Sequence, residues 1–255
     1  HISTKLYGIF WYNIDGGDLQ MSCKEIDYQK IPELAQKMKS FFTMGRSVNT
    51  TSYMNWRVSK NKDVSTQFWQ MASGYFQAAD LLITACLKDN FDKKADIIIF
   101  PILFDIVQGI ELSLKASNGY LFMILGGYIK IEGCHNIKQM VDDSISKLQK
   151  LKEKQVHGSA VDNEETEQAI TAMKLIRNFI ECLYEKTDDM AFTRYSQTKD
   201  EKEMFYVKEC RNVVIDLELL QELLGYIEKM FDFISDYLYR QWDWVNEVNR
   251  EIADF

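Results

Sequence analysis

Four polar residues recur at helical spacing inside a segment that is otherwise almost entirely apolar. The segment, residues 101–116, reads PILFDIVQGIELSLKA, and the four residues are Asp105, Gln108, Glu111 and Lys115. Spacings of three, three and four place these side chains on one face of an α-helix. Such a stripe either forms internal bonds, with Glu111 and Lys115 in the order that favours an i,i+4 ion pair, or lines a cleft or a dimer seam.

A second polar pair, His135 and Asn136, stands immediately before a predicted helix. An asparagine at this position can cap the helix by accepting hydrogen bonds from its first N–H groups, and the histidine can then be a structural hydrogen-bonding residue. Alternatively, the pair can contact a phosphate or a substrate, a role that depends chiefly on the family resemblance described below; a free helix N-terminus would help to hold an anion there. The two residues therefore join the polar stripe as candidate ligand- or partner-binding residues.

Three lysines, Lys147, Lys150 and Lys154, lie on one face of the helix that follows, in the most basic stretch of the chain. They form either a solvated helix face or a contact for a polyanion. The protein as a whole carries a formal charge of −8, and a negative field of this kind repels phosphate groups. We therefore expect neither generic nucleic-acid binding nor binding to an anionic membrane surface.

Signatures of several enzyme and metal-binding classes are missing from the sequence. It contains no phosphate-binding loop, dinucleotide fingerprint, zinc-protease motif or nucleophile elbow. The five cysteines are scattered without a C-x-x-C pair, which predicts reduced thiols, a cytoplasmic protein and no metal site. The longest apolar run, residues 97–104, has eight residues, whereas a membrane span needs about 20. We expect no cofactor and no membrane segment.

The elements that would position these residues are mostly helices. Only two prolines and twelve glycines occur in 255 residues, and this composition favours long helices. Apolar residues recurring every three or four positions predict the individual helices. The predicted helices are 31–44, 63–87 with Asp63 or Ser65 as its cap, 101–116 closed by Asn118 and Gly119, 137–151, 164–186 and 216–252.

Glycine-containing turns between β-prone runs predict two small β-hairpins. The first covers residues 5–26; the second covers residues 120–132 around Gly126 and Gly127, unless its first arm extends a helix. In addition, residues 192–195 and 204–208 have the composition of short paired strands.

The predicted fold class is mainly α, an up-and-down helical bundle of five to six helices with one or two small β-hairpins. A polar break over residues 45–62 separates an N-terminal hairpin-plus-helix appendage, 1–62, from the helical bundle, 63–255. The alternative is one continuous domain.

Four motifs in chain order resemble those of a known superfamily. A helix of the form W-x-x-A-x-x-Y-x-x-A-A-x-x-L precedes an I-E-L-x-L-K-A helix, a G-x-H-N helix start and an F-x-R-Y segment. The residues are Trp69, Ala72, Tyr75, Ala78, Ala79 and Leu82; residues 110–116; Gly133, His135 and Asn136; and residues 192–195. This order resembles the HEPN (higher eukaryotes and prokaryotes nucleotide-binding) superfamily over roughly residues 65–250, in particular its bacterial members.

The resemblance implies a helical bundle that commonly dimerises and that serves bacterial defence, toxin–antitoxin or stress systems, often by acting on RNA or nucleotides. Catalytically active members carry R-x(4–6)-H, whose histidine handles a proton while the arginine offsets phosphate charge in metal-independent RNA cleavage. This chain has no arginine at that distance before any histidine, and Arg211 is followed by Asp216 where the histidine would be.

The sequence therefore predicts a non-catalytic HEPN-like protein that binds a nucleotide, RNA or a cognate protein partner and forms a homodimer. One alternative is a divergent metal-independent endoribonuclease that uses His135 or the pair Arg211 and Asp216. The other alternative is a structural protein–protein interaction module.

Overall fold

The computed structural model describes residues 27–38, 41–54, 58, 62–127, 135–155, 163–198, 200–209 and 211–253. This part of the chain contains seven α-helices and no β-strand, so the protein is mainly α. The helices are α1 (Ile31–Met38), α2 (Val64–Lys88), α3 (Ala95–Ile124), α4 (Ile137–Gln155), α5 (Asn163–Tyr184), α6 (Phe205–Lys208) and α7 (Leu217–Ala253).

Five long helices form the bundle around α3. Helix α3 packs against α2, α4 and α7, while α5 packs against α4 and α7, and α2 completes the ring by packing against α7. Each helix contributes an apolar stripe to one shared core, as its three- and four-residue spacing predicts. The mainly helical bundle is confirmed, whereas the up-and-down order of its helices stays a prediction.

Helix α2 begins at the residue that the sequence marks as a cap. The Asp63 carboxylate accepts a hydrogen bond from the Thr66 backbone N–H at 2.9 Å, and the helix continues for 25 residues. Its buried apolar side chains recur every three or four positions and face α3 and α7: Ala72, Phe76, Ala79, Ile83 and Cys86.

Helix α3 is longer than predicted at both ends: it begins at Ala95, before Pro101, and the residues expected to close it lie inside it. A Cβ atom at Gly119 would collide with the Ser65 hydroxyl of α2, so this glycine permits close packing of two helices and does not end one. The helix ends instead after Ile124. Gly126 has φ +92°, and the N–H groups of Gly126 and Gly127 donate to the carbonyls of Met123 and Phe122, which is a Schellman cap.

The second predicted hairpin is wrong in its first arm, since residues 120–124 are helical, and the alternative in which this arm extends a helix is confirmed. Its second arm and the whole of the first predicted hairpin lie outside the described residues. The short strands predicted at 192–195 and 204–208 are also wrong. Residues Met190–Thr193 form a 3-10 helix and residues Phe205–Lys208 form α6, and an isolated bridge from Gln197 to Glu203 lies in the loop that joins them.

The loop between α5 and α7 is held by one tyrosine. The Tyr206 hydroxyl contacts the carbonyls of Phe192 at 3.2 Å and Tyr195 at 2.9 Å. Burial raises the pKa of this hydroxyl above the usual value of a tyrosine. The 3-10 helix and the residue that follows it, Arg194, are thereby fixed against the side of α3.

Helix α1 is shorter than the predicted 31–44, and all of its side chains are exposed. Its apolar residues Ile31, Leu34 and Met38 lie outside the bundle core. The bundle begins at Asp63, where the second of the two predicted domains was placed; the division itself stays a prediction.

By length and composition alone, α3 would suffice to cross a membrane. More than half (56%) of its most apolar 18-residue window is buried among the other helices. Its contacts with α2, α4 and α7 account for its apolar composition, because a helix enclosed on several sides is apolar nearly all round.

One end of the bundle is joined by a polar cluster enclosed by aromatic rings. The Tyr120 hydroxyl of α3 lies 2.9 Å from Asp63 Oδ2 and 2.8 Å from Thr66 Oγ1. Trp69 stacks on the Tyr120 ring at 4.7 Å, and Trp242 of α7 meets that ring edge-on at 5.5 Å. The cluster therefore connects α2, α3 and α7.

Candidate functional site

An open cavity of about 510 Å³ lies on the side of α3, between the start of α4, the end of α5 and the 3-10 helix. Four of the six predicted ligand- or partner-binding residues line it: Gln108, Glu111, His135 and Asn136. The remaining lining residues are Phe104, Val107, Tyr184, Asp188, Asp189, Met190, Ala191, Thr193 and Arg194.

Glu111 is the most connected polar residue of this cavity. Its Oε1 atom accepts a hydrogen bond from Lys115 Nζ at 2.8 Å and lies 2.9 Å from His135 Nδ1, within hydrogen-bonding distance. The side chains of Glu111 and Lys115 are only 11% and 14% exposed, whereas that of His135 is 76% exposed. The i,i+4 ion pair expected from the sequence is formed, and it connects a buried carboxylate to an accessible imidazole.

Asn136 caps α4, as its position in the sequence predicts. Its Oδ1 atom accepts hydrogen bonds from the Gln139 backbone N–H at 3.0 Å and from the Tyr184 hydroxyl at 3.2 Å. Lys138 places its ammonium group 5.8 Å from the centre of the Tyr184 ring. These contacts hold the end of α5 against the start of α4, so the cavity wall is built by two helix ends.

Arg194 supplies the cation on the opposite element. Its guanidinium lies 5.7 Å from the centre of the Phe104 ring and 5.5 Å from that of Tyr195, so two aromatic faces support it. It forms no ion pair with any carboxylate of the described residues, although Asp188 and Asp189 also line the cavity. The Asp189 carboxylate accepts from the Ala191 N–H at 2.8 Å and caps the 3-10 helix.

The remaining residues of the predicted stripe lie elsewhere. Lys115 stands behind Glu111 and does not line the cavity. Asp105 is half-buried and also absent from the cavity wall; burial raises the pKa of its carboxyl group. The stripe is therefore divided: Gln108 and Glu111 face the cavity, and Lys115 supports it.

The predicted polyanion contact has a partly structural role. Lys147 donates a hydrogen bond to Asn118 Oδ1 at 3.0 Å and so connects α4 to α3. Lys147 and Lys150 also line a second open cavity, of about 670 Å³, together with Glu153 and the end of α3. The side chain of Lys154 lies outside the described part of the protein.

Asp216, the alternative catalytic residue, caps α7. Its carboxylate accepts hydrogen bonds from the backbone N–H groups of Glu218 at 3.0 Å and Leu219 at 3.1 Å. Arg211 lines a separate cavity of about 580 Å³, whose wall includes neither Asp216 nor any histidine. The carboxylate is thus occupied in holding the helix start, which leaves His135 as the histidine that lines a described cavity.

Tyr184 and Arg194 are two of the nine lining residues that sequence reasoning missed. Arg194 belongs to the F-x-R-Y segment, so a signal for it existed, but nothing in the chain order shows that this loop returns to α3. Nothing in the sequence distinguishes Tyr184 from an aromatic residue on the apolar face of α5. Both contacts are tertiary and appear only when the helices are packed.

Compared with family models, with characterised proteins and with solved structures, the chain matches none of them. Within the described residues, no group of three or more His, Cys, Asp or Glu side chains is arranged to hold a metal ion. The cavity's own chemistry therefore supplies the argument about function.

Proposed function

We propose that this protein is a non-catalytic HEPN-like helical protein that binds a nucleotide or a short segment of RNA in the cavity beside α3. The observation that carries the proposal is the convergence of Gln108, Glu111, His135 and Asn136 with Arg194 around one open space. Polar groups that converge on one concave space can fix the orientation of a small ligand.

Each cavity group has a part in this proposal. The Arg194 guanidinium, supported by two rings and without a carboxylate partner in the described part of the chain, contacts a phosphate. The exposed edge of His135 meets a polar group of the ligand, and Phe104 and Tyr184 offer ring surface to a base. The buried Glu111 carboxylate holds the imidazole in place.

The wider setting of the proposal comes from the family resemblance of the sequence. Such a binding protein would act as a homodimer in the cytoplasm, as part of a bacterial defence or stress system. A cognate protein partner is the alternative occupant of the site, and the polar character of the cavity favours the small ligand over a purely structural interaction module.

The first test is a native mass spectrum of gently purified protein together with its absorbance at 260 nm. The proposal expects bound nucleotide or RNA, and a titration of the ligand-free protein with nucleoside monophosphates and short oligoribonucleotides then gives dissociation constants. Arg194→Gln should weaken binding about tenfold or more, because it removes charge-assisted hydrogen bonds to phosphate.

Arg211→Gln is the matched control, since Arg211 is an exposed arginine that lines a different cavity. Equal losses in the two variants would mean that phosphate is attracted by general charge and not by this cavity. A wild-type protein that binds none of these ligands would contradict the proposal and direct the search to a protein partner.

A divergent endoribonuclease is the second candidate, and the 2.9 Å contact between His135 Nδ1 and Glu111 Oε1 favours it. A histidine oriented by a carboxylate is the usual form of a general base, and Arg194 would then offset phosphate charge. This activity requires that His135→Ala abolish RNA cleavage while circular dichroism shows an unchanged fold. Cleavage that survives both His135→Ala and Arg194→Ala would remove the second candidate.

A further inference from the structure

We infer that Glu111 is a positioning residue that fixes the proton of His135 on Nδ1 and leaves Nε2 as a hydrogen-bond acceptor at the cavity. The inference deepens the proposed function. It rests on that proposal only for the identity of the ligand that meets Nε2. Its basis is the 2.9 Å separation between Glu111 Oε1 and His135 Nδ1, and the 2.8 Å separation between the same oxygen and Lys115 Nζ.

The donor and acceptor roles follow from the chemistry of the three groups. The Lys115 ammonium can only donate, so the Glu111 oxygen that it contacts is an acceptor, as in a carboxylate. An acceptor at 2.9 Å from Nδ1 requires a proton on that nitrogen. In neutral imidazole the second nitrogen then carries only a lone pair.

The two residues of the contact differ in exposure: Glu111 is nearly buried, whereas His135 is accessible from the cavity. Glu111 and Lys115 project from the same helix face of α3 and are nearly buried, so their geometry is held by packing. His135 is 76% exposed and lines the cavity. Because its Nδ1 edge is bound to α3, the ring presents its Nε2 edge to whatever enters the cavity.

The tautomer of His135 determines which polar groups of a ligand can bond to Nε2. A group that meets Nε2 of the neutral ring must donate a hydrogen bond, which selects hydroxyl, amine or amide N–H groups and disfavours bare carbonyls or phosphate oxygens at this point. Anionic oxygens are left to Arg194. The cavity thus discriminates by the kind of polar group as well as by charge.

The test is a long-range ¹H–¹⁵N correlation spectrum of ligand-free protein labelled at histidine, recorded where the imidazole is neutral. The His135 signals are assigned by their loss in His135→Ala. A charge-assisted hydrogen bond should favour the Nδ1–H tautomer about ten- to a hundredfold. In Glu111→Met the preference should disappear, because the acceptor is removed while a side chain of similar length remains.

Glu111→Gln serves as the variant that keeps side-chain shape if the methionine variant does not fold, and it should reduce the preference about tenfold because its acceptor is neutral. Glu181→Gln, whose carboxylate contacts Arg177, is the control and should leave the tautomer unchanged. A wild-type protein with the proton on Nε2, or a Nδ1–H preference that both Glu111 variants retain, would overturn the inference. The spectrum needs no ligand, so failure of nucleotide binding would not alter its result.

Discussion

Lys115 Nζ lies 2.8 Å from Glu111 Oε1, one helical turn away on α3, and both side chains are nearly buried. Lys115→Met should therefore destabilise the protein by about 3 kcal/mol, because removing one partner of a buried pair leaves an uncompensated charge. Denaturant unfolding measures this. Lys37→Met is the control, since the pair of Lys37 with Glu33 is 68% and 64% exposed and should contribute less than about 1 kcal/mol.

Because Glu111 and Lys115 are nearly buried, variants at these two positions are expected to lose stability as well as any binding. A polar stripe in contact with solvent would lose binding without losing stability, but a buried pair cannot be broken so selectively. If Lys115→Met leaves the free energy of unfolding unchanged, the pair is not buried in solution. Arg194 and His135 are the better positions for testing function, because both side chains are exposed.

Gly109 should not tolerate a larger residue. A Cβ atom there would lie 2.5 Å from the Phe76 ring, so Gly109→Ala should destabilise the bundle by about 1–3 kcal/mol through overpacking. A Cβ atom at Gly74, in α2, would have no neighbouring atom within 4 Å, so Gly74→Ala should stabilise the protein by about 0.5–1 kcal/mol. Thermal unfolding of the two variants should show shifts of opposite sign; shifts of the same sign would contradict the close α2–α3 packing.

Tyr120→Phe should cost about 1.5–3 kcal/mol at neutral pH, because the hydroxyl bonds the Asp63 carboxylate. Burial, chiefly, raises the pKa of Tyr120 in the folded protein above that of a free tyrosine. Above about pH 10 the unfolded chain releases this proton while the folded protein keeps it, so the stability that the raised pKa contributes is lost as pH rises.

The difference in unfolding free energy between wild type and Tyr120→Phe should therefore shrink from pH 7 to pH 10.5. Tyr226→Phe, at a 56% exposed position of α7, should change little at either pH. A difference that is constant over this range would show that the Tyr120 hydroxyl titrates equally in both states.

The ionised Glu228 side chain should lower the free energy of unfolding at neutral pH. Burial, followed by the nearby carboxylates of Asp232 and Asp80, raises the pKa of the Glu228 carboxyl group. A raised folded-state pKa contributes stability in acid that is lost as pH rises through it, so Glu228→Gln should become more stable than wild type between pH 4 and pH 7. Glu222→Gln, on the exposed face of α7, is the control; a Glu228→Gln variant less stable than wild type at pH 7 would refute the argument.

Much of the fold could be predicted from the sequence because apolar periodicity and caps act locally. Asp63 and Asp216 begin α2 and α7 where expected, and α7 extends to Ala253, close to the predicted end at 252. Two of the errors fall on glycines. Gly119 and the pair Gly126 and Gly127 have the composition of a helix end and a hairpin turn, but their roles depend on the approach of Ser65 and on a helix cap.

The candidate site was predictable only in part, for a related reason. Helical spacing places Gln108 and Glu111 on one face without any tertiary information. The contact of Glu111 with His135 spans 24 residues, and Arg194 reaches the same cavity from a loop that follows two further helices. Such convergence depends on how α4 and α5 pack against α3, which no local pattern encodes.

The position of α7 has a consequence for synthesis of the protein. α2 with α3 and α4 with α5 are neighbours in sequence and can pair as soon as they leave the ribosome, but α7 packs against α2, α3 and α5 and is made after them. Until then the faces that receive Leu224, Phe231 and Leu238 are open to water. The nascent chain therefore passes through a stage with exposed apolar surface, in which it depends on chaperones or on fast docking of α7 to avoid aggregation.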